Sequence, residues 1–159
     1  MGPIPNVHPL FVHFPIALLL ATLVLDVVVL AGRRKAADGS EKRLLCEACS
    51  GAVLLLAALG GLAAVATGFL AEDAVEAMST DAELHTLLER HETAALVTFG
   101  IALALAVWRL VGRLRLPGGP VRWVYLGLLL AACVLVGVTG HLGGSMVYGH
   151  GVGVQTSAP

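Results

Sequence analysis

Charged residues are scarce in this chain. They make up 13% of its 159 residues, against about 25% in an ordinary soluble domain. That share leaves too little polar surface to coat a globule, so the lipid bilayer is the expected solvent. The formal net charge is −1, which points away from a nucleic-acid partner. Cysteine is nearly absent. Cys46, Cys49 and Cys133 all fall in or beside apolar runs, which argues against a secreted disulfide framework. The start, Met1-Gly-Pro-Ile-Pro-Asn-Val-His8, has no basic segment ahead of the first apolar run and no small-residue cleavage site after it. That run is therefore expected to be a true span rather than a removed signal. Serine-hydrolase elbows, zinc-protease motifs and phosphate loops are also missing: His91-Glu92 is followed by Thr-Ala-Ala instead of a second histidine.

What the chain has is apolar length. A helix needs about 20 apolar residues to cross about 30 Å of hydrocarbon. Four stretches qualify, at about 9–30, 45–70, 93–111 and 121–141. Lipid offers no partner to unpaired amides, so these should be helices. The expected fold is an all-α, four-helix transmembrane bundle with antiparallel up-down topology. Residues 1–154 read as a single four-span domain and 155–159 as a flexible C-terminal tail.

The linkers differ in charge. Gly32 to Arg43 holds Arg33, Arg34, Lys35, Lys42 and Arg43, and the turn after span three holds Arg109, Arg113, Arg115 and Arg122. The linker from Glu72 to Glu92 carries Glu72, Asp73, Glu76, Asp81, Glu83, Glu89 and Glu92 against Arg90. Positive charge stays on the cytoplasmic side. Both termini and the acidic linker are then expected outside a bacterial inner membrane. Trp108, Trp123 and Tyr125 suit an aromatic belt at the cytoplasmic interface. Ala57, Gly60, Gly61, Ala64 and Gly68 give span two small-residue steps that admit close helix neighbours. Leu84, Leu87 and Leu88 predict a short surface helix, capped by Ser79, Thr80 or Asp81, that leads into span three.

All six histidines fall on the expected outer side: His8, His13, His85, His91, His141 and His150. Neutral imidazole suits iron, copper and zinc. His13 and His91 each lie about a turn from the outer start of their span, at similar depth. Two facing helices with one histidine each can hold a b-type haem. Arg90 is placed to pair with its propionates; His141 and His8 are reserve ligands. Pro15 either kinks a helix that began at Pro9 or takes the first-turn place of one that begins near Phe14. The glycine-rich segment from Gly140 to Val154 reads as a hinged cover over the cluster.

Two further groups carry weaker signals. Cys46 and Cys49 share a helix face, but no second pair completes a structural zinc site, and buried inert thiols are the default. Asp26 lies inside span one and Glu47 at the start of span two. Intramembrane carboxylates are functional candidates, though Asp26 is shallow enough to reach the interface or an arginine from the basic linker.

The segments His8-Pro-Leu-Phe-Val-His-Phe-Pro-Ile-Ala-Leu-Leu19, Thr67-Gly68, Gly140-His-Leu-Gly-Gly and Val147-Tyr-Gly-His-Gly-Val-Gly-Val154 resemble the bacterial membrane family named domain of unknown function 2231. The resemblance covers nearly the whole chain. It implies a four-span unit found alone or beside redox modules such as Rieske-type and c-type cytochrome domains. Its motif histidines match His8, His13 and His150 most clearly, and His141 less so. The expected function is haem b binding and electron transfer, in a larger membrane redox complex, with no catalytic residues of its own. The alternatives are a non-haem metal site built from His8, His13, His91, His141 and nearby carboxylates, with His13 and His91 as its metal ligands, and a cofactor-free assembly subunit.

Overall fold

A computed structural model describes residues 7–32, 40–76 and 81–154, with Asp73 and Ala74 described by backbone alone. Arg33, Arg34 and Lys35 of the first basic linker, the caps proposed at Ser79 and Thr80, and the tail 155–159 lie outside the described residues. Four helices account for nearly all the rest: α1 His8–Gly32, α2 Glu41–Glu76, α3 Ala82–Val111 and α4 Val121–His150. Each contains a segment long and apolar enough to cross a membrane. They close a ring of contacts in which α1 meets α2, α2 meets α3, α3 meets α4, and α4 returns to α1.

The helices are longer than the apolar runs alone predict. At 1.5 Å per residue, the 36 residues of α2 extend about 54 Å and the 30 residues of α3 and of α4 about 45 Å. Hydrocarbon takes only about 30 Å. The excess collects mainly beyond the end that holds the histidines. There Val75, Leu84, Leu88, Met146 and Val152 form a small second core, with Leu87 against it. This packing explains two departures from the sequence reading. The expected surface helix and span three are one continuous α3, capped by Asp81, whose carboxylate accepts from the Glu83 amide at 3.0 Å. The glycine-rich segment after Gly140 is no hinged cover. It continues α4, with Met146 buried in the second core. Gly151, at φ 70°, ends the helix, and the Val152 amide donates to the Met146 carbonyl at 3.1 Å.

Pro15 is buried inside α1, which begins at His8. Gly60 makes room for it: a Cβ there would stand 3.3 Å from the proline Cδ. Phe99 packs on Gly61 in the same way from α3. The small residues of α2 are thus the places where α1 and α3 close in, as small-residue steps allow. The main core follows below them, around Leu19, Leu54, Ala57, Leu105, Leu129 and Val136.

The turn from α3 to α4 is strained. Arg113 and Leu114 have φ of 55° and 62°, a left-handed conformation that costs an L-residue about 1–2 kcal/mol. Local contacts hold it in place. The Leu114 amide donates to the Arg109 carbonyl at 2.6 Å, and Leu116 is buried. The Leu114 side chain rests on Gly51, where an added Cβ would lie 2.9 Å from Leu114 Cβ and 3.0 Å from its carbonyl oxygen. Gly51→Ala should therefore cost about 1–3 kcal/mol, read as a lower midpoint of thermal unfolding in detergent. Gly100→Ala, with nothing within 4 Å of the new Cβ, should not lower it.

Candidate functional site

Two polar clusters interrupt the apolar interior, one at each end of the bundle. The first joins the start of α1 to α3. The rings of His8 and His91 stand edge to face, with centroids 6.3 Å apart and planes at 84°. Each ring is fixed by a third or fourth helix. His8 Nδ1 lies 3.0 Å from the Ala64 carbonyl of α2, with Thr67 Oγ1 at 3.2 Å. His91 Nδ1 lies 3.0 Å from the Thr139 carbonyl of α4. A backbone carbonyl only accepts, so Nδ1 must carry the proton in both rings. The lone pair of each neutral imidazole is then on Nε2.

A glycine borders each ring. A Cβ on Gly68 would stand 3.4 Å from His8 Cε1, and one on Gly143 would stand 3.3 Å from His91 Cε1. Larger residues there would press on the rings. Thr67 thus acts through its hydroxyl and Gly143 through the space it leaves.

The other candidates are dispersed. His13 is exposed, and its Nδ1 donates to the Pro9 carbonyl of its own helix at 2.7 Å. The structure brings His8 to His91 and leaves His13 on the outer surface of α1. His141 and Arg90 are exposed and His85 is half-buried. His150 Nδ1 lies 3.5 Å from Asp81 Oδ2 and links the end of α4 to the start of α3. Among the described residues, no group of three histidines, cysteines or carboxylates is placed to hold one metal ion. Cys46 and Cys49 are exposed, contrary to the buried default, and Cys133 is buried with its thiol 3.6 Å from the Leu19 carbonyl.

The second cluster lies at the opposite ends of the helices and was only partly foreseen. Asp26 is fully buried. Ser50 of α2 donates a short hydrogen bond to its Oδ1. Arg109 of α3 donates to the same oxygen at 3.2 Å, and Tyr125 of α4 donates to Oδ2 at 2.9 Å. Arg109 is also fully buried, and its Nη2 donates to the Glu47 carbonyl at 2.6 Å. Glu47 in turn accepts from Arg43 at 3.0 Å and from the Leu116 amide at 3.3 Å. Every helix contributes. Asp26 does not reach for the interface, and Tyr125 does not join an aromatic belt: its ring is buried against Trp108, with centroids 6.1 Å apart, and its hydroxyl serves the carboxylate. Of the two outcomes expected for Asp26, the arginine of the basic linker is the one found, as Arg109; Ser50 and Tyr125 as its further partners were missed, although an intramembrane acid calls for partners at equal depth.

Removing one member of a buried ion pair leaves the other uncompensated, at a cost of about 3–5 kcal/mol. Asp26→Ala should therefore lower the thermal midpoint sharply, and Tyr125→Phe only by the equivalent of about 1 kcal/mol. Asp26→Leu combined with Arg109→Met should recover much of the loss, because no charge is then stranded. An Asp26→Ala protein that melts like the wild type would contradict the knot's role.

No curated protein and no solved structure matches the chain. One family pattern does, described as predicted membrane protein (DUF2231), and it matches residues 4–156. Those limits take in all four helices, both polar clusters and the glycines that seat the histidines. The chain belongs to the DUF2231 family of predicted membrane proteins.

Proposed function

We propose that the protein binds one b-type haem between His8 and His91 and passes electrons as a subunit or partner of a larger membrane redox complex. The observation that carries this reading is the histidine pair. Metal-binding histidines commonly donate one ring N–H to a backbone carbonyl, which fixes the tautomer and aims the other nitrogen. Both rings have that anchor, on Ala64 and Thr139.

The two rings are neighbours, with centroids 6.3 Å apart, and would serve one bound group from two helices. A zinc or non-haem iron site wants further protein donors, and no group of three is found among the described residues. Porphyrin supplies its own four nitrogens and asks the protein for two. His8 thus replaces His13 as the partner of His91 in this reading, and Arg90 keeps its expected role toward the propionates.

When bound, haem would supply one-electron redox chemistry, with His8 and His91 as the residues that would hold it. The chain's own share is to hold two imidazoles still, keep their Nε2 atoms unprotonated, and surround them with apolar helix. The sidedness completes the proposal. Arg43, Arg113, Arg115 and Arg122 belong to the Asp26 end. By the positive-inside bias that end faces the cytoplasm. The helices then run alternately up and down, both termini lie outside an inner membrane, and the haem sits near the outer surface, where a redox partner can approach.

The test is an absorption spectrum of protein purified from a haem-sufficient host. A Soret band that sharpens on reduction is expected. His8→Ala and His91→Ala should each abolish the low-spin spectrum, while His13→Ala should leave it. A colourless wild-type preparation would overturn the haem reading in favour of a cofactor-free assembly subunit. Loss with His13→Ala but not with His8→Ala would return the ligand role to His13.

A further inference from the structure

An open groove of about 330 Å³ lies between the start of α2 and the α3–α4 turn. Glu41, Leu44, Leu45, Ala48, Arg113 and Arg115 line it. One wall is apolar and belongs to a helix that reads as a membrane span; Leu45 there is 58% exposed. The other wall carries two exposed guanidiniums.

The basic wall is fixed in place. Leu114, between the two arginines, is pinned on Gly51. Its amide is bonded to Arg109, that of Arg115 to the Gly112 carbonyl, and that of Leu116 to Glu47. The left-handed backbone at Arg113 and Leu114 is what turns the leucine inward while its two neighbours remain at the groove. Two cations on a braced turn lose little freedom when they engage an anion.

We propose that this groove binds the headgroup of an anionic glycerophospholipid. The arginines take the phosphodiester, which guanidinium matches in shape and charge. The acyl chains continue from it along Leu44, Leu45 and Ala48. Against the single carboxylate of Glu41, two arginines leave one net positive charge. A phosphatidylglycerol headgroup neutralises that charge. A phosphatidylcholine headgroup adds a cation of its own and gains less. A soluble phosphate would use the arginines but not the apolar wall. Basic pockets between spans on the cytoplasmic side are suited to such headgroups.

The experiment places the full-length protein in nanodiscs of equal phosphatidylglycerol and phosphatidylcholine, then counts retained lipids by native mass spectrometry. The wild type should retain phosphatidylglycerol in preference. Arg113→Gln with Arg115→Gln should reduce that preference about thirtyfold with unchanged helicity by circular dichroism. Glu41→Gln should raise it. Arg122→Gln removes a charge that does not line the groove, its guanidinium lying over the Trp123 ring instead, and should leave the preference intact. Equal retention of both lipids by the wild type would overturn the proposal. So would an equal loss with Arg122→Gln, which would mean general interfacial charge, or a fall with Glu41→Gln.

Discussion

A carboxylate in a low-dielectric interior must be neutralised and hydrogen-bonded, and that requirement on Asp26 organises the bundle. Its two oxygens are met from three other helices, by Ser50, Arg109 and Tyr125. No neighbour can slide or rotate without leaving a charge or a polar atom stranded. Apolar faces in lipid provide no such register, because hydrocarbon tails are as good a partner as leucine. The knot therefore supplies specificity that the core residues around Leu54 and Leu105 cannot. Glu47 extends the constraint to the α3–α4 turn through the Leu116 amide, and the strained backbone at Arg113 and Leu114 is tolerated because that turn is held there.

At the opposite end the logic changes. His8 and His91 are bound to carbonyls instead of counter-charges, so their rings are oriented without an ion pair. The small second core around Met146 lies beyond them and extends the helices past hydrocarbon thickness. One end of the molecule thus fixes helix register, and the other has positioned nitrogen donors under a packed cap.

The four apolar runs and the helical class were readable from length and hydropathy, and Asp81 as a cap from residue type. The boundaries were not. The helical spacing of Leu84, Leu87 and Leu88 was readable, but that this stretch runs unbroken into span three, and that 142–150 continue α4 despite their glycines, shows only in the packing of Leu84, Leu88 and Met146. The histidine pairing was half legible. Counting from helix starts put His13 at the depth of His91, but depth says nothing about which face a residue takes. His13 looks outward, whereas His8 lies over Gly68. An arginine of the basic linker as partner of Asp26 was legible, and Arg109 fills that place; its full burial together with Tyr125 was hidden, because linear position marked both as interfacial.

The anchoring of the two histidines by main-chain oxygens has an evolutionary consequence. Other residues at positions 64 and 139 would present the same carbonyl, so these side chains are constrained by packing and not by the bond that orients the rings: Ala64 is buried, and beside it Thr67 adds a hydroxyl 3.2 Å from His8 Nδ1. Gly143 answers to the ring itself, since a Cβ there would stand 3.3 Å from His91 Cε1.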